Sequence, residues 1–162
     1  MANLIYTASQ TAITFKESGG DAVITLINLG FGAGRVSAQY DRGAGSKPMR
    51  YSWKAVMQFE TAPAVGELVE IYLAQSDGTN VDGNVGTADA ALTTDKRRNL
   101  DLIGVVVADS TSTATSNIAS GICYIWQRYF SVGVWNASAA DNLENTANAN
   151  YVTFTPIPDG VQ

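Results

Sequence analysis

Apolar and polar residues alternate with a period of two along much of the chain. That is the pattern of strands with one face on a core and the other facing outward. It is clearest over residues 49–60. Met49, Tyr51, Trp53, Ala55, Met57 and Phe59 share one face, and Arg50, Ser52, Lys54, Val56, Gln58 and Glu60 share the other. Over residues 67–74, Val69, Ile71 and Leu73 oppose Leu68, Glu70 and Tyr72. Over residues 121–130, Ile122, Tyr124, Trp126, Arg128 and Phe130 oppose Cys123, Ile125, Gln127 and Tyr129. Further strands are expected over residues 22–29, 35–40, 100–108, 131–135 and 151–155, with 13–16 a further candidate.

Turn residues separate these runs. Ser18-Gly19-Gly20-Asp21, Gly30-Phe31-Gly32-Ala33-Gly34 and Asp41-Arg42-Gly43-Ala44-Gly45-Ser46 are glycine-rich, and Lys47-Pro48 follows the last. Glycine supplies positive φ and proline removes a strand donor, so each cluster breaks a ladder. No segment holds a helical stripe for three turns, and the best helix candidate is a single turn over 87–92. About eight short strands with glycine-rich turns predict an all-β fold, an antiparallel β-sandwich with a jelly-roll-like arrangement. Residues 1–12 read as an N-terminal arm or edge strand, and 13–162 as one sandwich domain. Two connections, 75–99 and 136–150, exceed the ~12–15 residues usual without a function of their own.

Composition then narrows the chemistry. The 162 residues include no histidine and one cysteine, Cys123. Ser-His-Asp and Cys-His nucleophiles, structural zinc and an internal disulfide are thereby removed. The net charge of −5 argues against a nucleic-acid surface, where cations must replace phosphate counterions. Charged residues are 15% of the chain, below the ~25% of ordinary soluble domains, which leaves much neutral surface. No run approaches the ~18 apolar residues of a spanning helix. The first ten residues have neither a basic n-region nor an apolar h-region, which reads as synthesis in a cytosol. Asn136-Ala137-Ser138 matches a glycosylation sequon, which means little without a secretory context.

Four candidate chemistries stand beside plainer readings. Asp77, Asn80, Asp82 and Asn84 could form an oxygen cage for calcium. Gly78 stands where an EF-hand loop needs its first aspartate, with Asp89 at the twelfth position, so a string of Asx-Gly turns is the better reading. Glu67 and Glu70 lie at odd spacing on one strand and face apart, and Glu60 and Asp109 sit at strand ends, so no glycosidase-like dyad emerges. No cofactor and no enzymatic activity are expected. Lys96-Arg97-Arg98, bracketed by Asp95 and Asp101, is the one basic cluster. Three cations in an acidic chain suit a protein contact or a solvated rim better than nucleic acid. Among the aromatics Trp53, Tyr124, Trp126, Tyr129 and Trp135, core packing is the default and sugar stacking the alternative. Trp135, at the start of a long loop, is expected to be the most exposed.

Several stretches carry a family likeness. They are Tyr51-Ser-Trp-Lys-Ala-Val-Met-Gln-Phe-Glu through Ile71-Tyr-Leu-Ala-Gln-Ser-Asp-Gly-Thr-Asn, Asp95-Lys-Arg-Arg-Asn-Leu-Asp-Leu-Ile-Gly, Ser120-Gly-Ile-Cys-Tyr-Ile-Trp-Gln-Arg-Tyr-Phe-Ser, Val134-Trp-Asn-Ala and Val152-Thr-Phe-Thr-Pro-Ile-Pro. Over roughly residues 50–160 the chain resembles the capsid decoration, or cement, proteins of tailed bacteriophages. The resemblance implies a β-rich structural virion protein on the outer capsid surface, made in the host cytoplasm. Its implied partners are the major capsid protein and itself, as a homotrimer, with no membrane and no nucleic acid. It transfers no contact residue. The chain's own candidates for a capsid or subunit interface are Leu4, Ile5 and Tyr6, an apolar knot in the arm, and Lys96, Arg97 and Arg98. The alternative is a carbohydrate-binding module or phage adhesin, since lectins also use jelly rolls. An exposed aromatic platform would favour that alternative.

Overall fold

A computed structural model describes residues 11–109, 111–113 and 115–158. Its strands are β1 (Ile13–Lys16), β2 (Ala22–Val23), β3 (Gly34–Val36), β4 (Tyr40–Asp41), β5 (Arg50–Met57) and β6 (Leu68–Ser76). They continue with β7 (Ala90–Leu92), β8 (Asp101–Val107), β9 (Asn117–Tyr124), β10 (Tyr129–Asn136) and β11 (Tyr151–Pro156). A 3-10 turn at Asp82–Asn84 and a one-turn helix α1 (Thr94–Arg97) lie between β6 and β8. Two sheets pack face to face. One runs β2-β1-β11-β5-β9, the other β7-β3-β10-β6-β8, with β4 paired to β10. The fold is an all-β sandwich. Among the named strands every pairing is antiparallel except β1 with β2.

The period-two reading places the core. Tyr51, Trp53, Ala55 and Met57 of β5 point inward, as does Phe59 beyond it, and they meet Val69, Ile71 and Leu73 of β6. Phe15 of β1, Phe130 of β10 and Phe154 of β11 form an edge-to-face triangle, with centroids 5.3–5.8 Å apart. Phe130 comes from one sheet and the other two from its partner, so the triangle bridges the layers. Such pairs add about 0.5–1.5 kcal/mol each beyond the area they bury.

The 75–99 connection departs from expectation. The predicted helix over 87–92 is absent. Ala90–Leu92 is instead strand β7, paired to β3, and the helix comes later, at Thr94–Arg97. Thr93 caps α1 by accepting from the Lys96 N–H. The segment folds back over the outer face of the six-stranded sheet. Val85, Leu92 and Leu100 there cover Val36, Tyr72, Ala74 and Trp135 in a second apolar cluster. Trp135 is therefore buried, contrary to the expectation from its place beside a loop. Residues 121–135 are also not two abutting strands. The chain leaves β9 after Tyr124, turns at 125–128 and starts β10 at Tyr129. Residues 22–29 form only the two-residue β2. Ile24 and Leu26 beyond it are buried without a ladder.

Candidate interaction surface

β9 is the edge of the five-stranded sheet and β8 the edge of the other, and the two lie side by side. Trp53 fills the seam between them. A Cβ on Gly104 of β8 would stand 2.2 Å from its ring, and one on Gly121 of β9 2.8 Å from it. Only glycine at both positions lets the indole in. With Cys123 and Asn117 turned inward, the alternate residues of β9 point out. Ile118 is 57% exposed, Ile122 61%, Tyr124 50% and, just past the strand, Trp126 63%. Leu102 and Val107 of β8 are exposed as well. Scattered apolar residues on a surface are ordinary. A row along one edge is the kind of patch that a partner covers.

The turn that ends the row is held on several sides. The Ile125 N–H donates to the Met49 carbonyl at 2.7 Å. The Trp126 and Gln127 N–H groups both donate to Oε1 of buried Gln75, at 2.6 and 3.3 Å. Buried Arg42 donates from Nε and Nη2 to the Gln127 carbonyl, and from Nη1 to the Pro48 carbonyl and the Tyr51 hydroxyl. Its guanidinium also lies over the Tyr51 ring, 5.7 Å from the centroid. Among the described residues no carboxylate pairs with it, so carbonyl dipoles and a ring face offset its lost hydration. Arg128 grips Asp41 with two bonds, of 2.7 and 2.6 Å. That fork lowers the Asp41 pKa and raises that of Arg128. The result is a fixed turn that presents Trp126, whose ring stacks on Tyr124 with centroids 5.4 Å apart and planes 11° from parallel.

Leu4, Ile5 and Tyr6 lie outside the described residues. Lys96 and Arg97 sit on α1 and Arg98 caps it, in the outer layer of the six-stranded sheet. The three do not act alike. Arg97 donates to Glu70 at 2.8 Å and lies over the Trp135 ring at 4.2 Å, so its charge is spent inside the fold. Arg98 pairs loosely with Asp95 at 3.6 Å and is largely exposed. The loop considered for calcium also uses its carboxylates internally. Asp77 accepts from the N–H groups of Thr79 and Asn80, which lowers its pKa, and Asp82 accepts from the Gln75 N–H. Among the described residues no three of His, Cys, Asp and Glu are grouped to hold a metal. None of the described helices is long and apolar enough to cross a membrane.

Trp126 and the isoleucines of β9 were not singled out from sequence as an interface. Large apolar residues of both parities over 122–126 hide the turn in the sequence, and only the fold shows odd positions buried at Cys123 and Ile125 and even ones at Phe130, Val132 and Val134. No family model and no curated protein matches the chain.

Proposed function

We propose that the protein is a structural component of a virion that decorates and strengthens the outside of a phage capsid. The observation that carries this reading is the outward apolar row on β9, with Leu102 and Val107 beside it on β8. Its contact is with the major capsid protein. Burying one large apolar side chain contributes about 1.5–3 kcal/mol, so a few from this row suffice for a stable contact. The sequence likeness described above points to the same role. The strand order is compatible with this role and equally with the carbohydrate-binding alternative, for which the exposed Trp126 speaks. With the short β2, β4 and β7 set aside, the sheets read β1-β11-β5-β9 and β3-β10-β6-β8, which we read as a jelly roll. Three copies around a local three-fold position are the assembly this role calls for.

The test is co-sedimentation of the full chain with undecorated phage heads. Saturable binding at a fixed number of copies per head is the expected result. Failure to sediment with heads at any concentration contradicts the proposal.

A further inference from the structure

The corner beyond the apolar row holds a pocket of about 270 Å³, open on one side and bounded by the 42–47 loop, Met49, Trp126 and Arg128. We propose that it binds one ring of an acidic saccharide, the apolar face of the sugar on the Trp126 indole and its carboxylate toward Lys47. This goes beyond the capsid contact and does not depend on it.

Three observations converge. The first is the platform. Trp126 is 63% exposed, and its backbone N–H is held by Gln75. Tyr124 stacks on it but does not line the pocket, so another part of the indole is offered there. A rigid, flat aromatic surface matches the C–H face of a pyranose at little entropic cost. The second is charge. In a chain of net charge −5, three cations border this pocket. Arg128 is neutralised by Asp41, and Arg42 is spent on carbonyls. Lys47 has no ion-pair partner among the described residues. Arg42, Lys47 and Arg128 share one carboxylate, Asp41, whose pKa Lys47 also helps to lower, so the corner keeps a net positive charge that favours a ring carrying one negative charge. The third is size and lining. The volume falls just below the ~300 Å³ of small-molecule sites and so encloses a single ring. Gly43 and Gly45 hold φ of 80° and 90°, so one wall is bare backbone, and Ser46 adds a hydroxyl between apolar Ala44 and Met49. That mixture suits a rim of hydroxyl groups. An aspartate or glutamate side chain of a peptide has a carboxylate but no flat face for the indole.

The full chain is titrated with galacturonic acid and, separately, with galactose, followed by tryptophan fluorescence and by saturation-transfer NMR. Trp53 and Trp135 are buried, so Trp126 dominates the fluorescence change. Galacturonic acid is expected to bind saturably with a millimolar Kd, and galactose about tenfold more weakly. Trp126→Ala, followed by saturation transfer because it lacks the reporting indole, abolishes binding of both sugars, and Lys47→Met removes the difference between them. Trp126 is exposed and Lys47 half-buried, and an unchanged melting curve confirms that each variant folds. Ile118→Asp with Ile122→Asp leaves the titration intact whatever it does to capsid binding, so the two proposals fail separately. Absence of saturable binding by either sugar overturns the site. So does unchanged binding by Trp126→Ala, or binding of a glutamate-rich peptide in place of the sugars.

Discussion

Trp53 can occupy the seam between the sheets because Gly104 and Gly121 leave its ring room. Gly104→Ala puts a methyl group onto the indole, and overpacking of this kind costs about 1–3 kcal/mol. Urea denaturation should show a lower midpoint with an unchanged slope. An unchanged midpoint would mean that the indole is free to move aside. Cys123, inward on β9, has its thiol pKa pushed up to about 12 by burial. The thiolate is the reactive form, so iodoacetamide at pH 8 should leave the native protein unmodified and alkylate it in urea. Fast native alkylation would show that β9 opens readily. At this scale the sequence spoke unevenly. Tyr51, Trp53 and Met57 could be placed inside from alternation alone. Met49, on the same face, is exposed because it precedes the strand. Trp126 and Trp135 were read the wrong way round for exposure. Large apolar residues of both parities occupy 122–126, and alternation cannot choose a face there.

The segment between β6 and β8 shows what a long connection can do without being a site. It supplies β7, α1 and the lid of the second cluster. Asp89, just before β7, ties it down. Its carboxylate accepts from Arg35 Nε at 2.7 Å and Nη2 at 3.0 Å, and from the Thr25 hydroxyl at 2.5 Å. Burial pushes the Asp89 pKa up, but these bonds outweigh it and the net shift is downward. A depressed folded-state pKa means stability that is present above the ordinary value of 3.8 and is lost as pH falls through the folded value. Asp89→Asn should therefore lower stability at neutral pH by about 1.5–3 kcal/mol, the range for hydrogen bonds to charged groups. It should also flatten the fall in stability below pH 4. A variant with the same acid limb as the native protein would remove Asp89 from this role. None of this was legible beforehand. The partners Arg35 and Thr25 are more than fifty residues away, and β7 is only three residues long. Strong alternation marked β5, β6 and β11, whereas β2, β4 and β7 exist because neighbours pair with them.

For the whole molecule, glycine-rich turns and period-two strands indicated a sandwich, and two packed sheets are what the chain forms. Which side of the sandwich faces a partner was not legible. That depends on which strands end up at the edges, and order in a sheet is set by pairings distant in sequence. If the protein assembles as proposed, light scattering at micromolar concentration should give the mass of three chains, and a clean monomer mass would contradict the trimer. The claim that matters most is that the β9 row meets the shell. It is tested by binding isotherms on undecorated heads for the native chain, for Ile118→Asp with Ile122→Asp, and for Lys96→Glu with Arg98→Glu. Both isoleucines are more than half exposed, so their replacement leaves the core alone. The β9 pair is expected to weaken binding by about a hundredfold or more, given about 1.5–3 kcal/mol for each buried apolar side chain. The α1 pair is expected to bind within a few fold of the native chain. Native affinity for the β9 variant, with binding lost on charge reversal at α1, would place the contact on the other sheet and contradict the account.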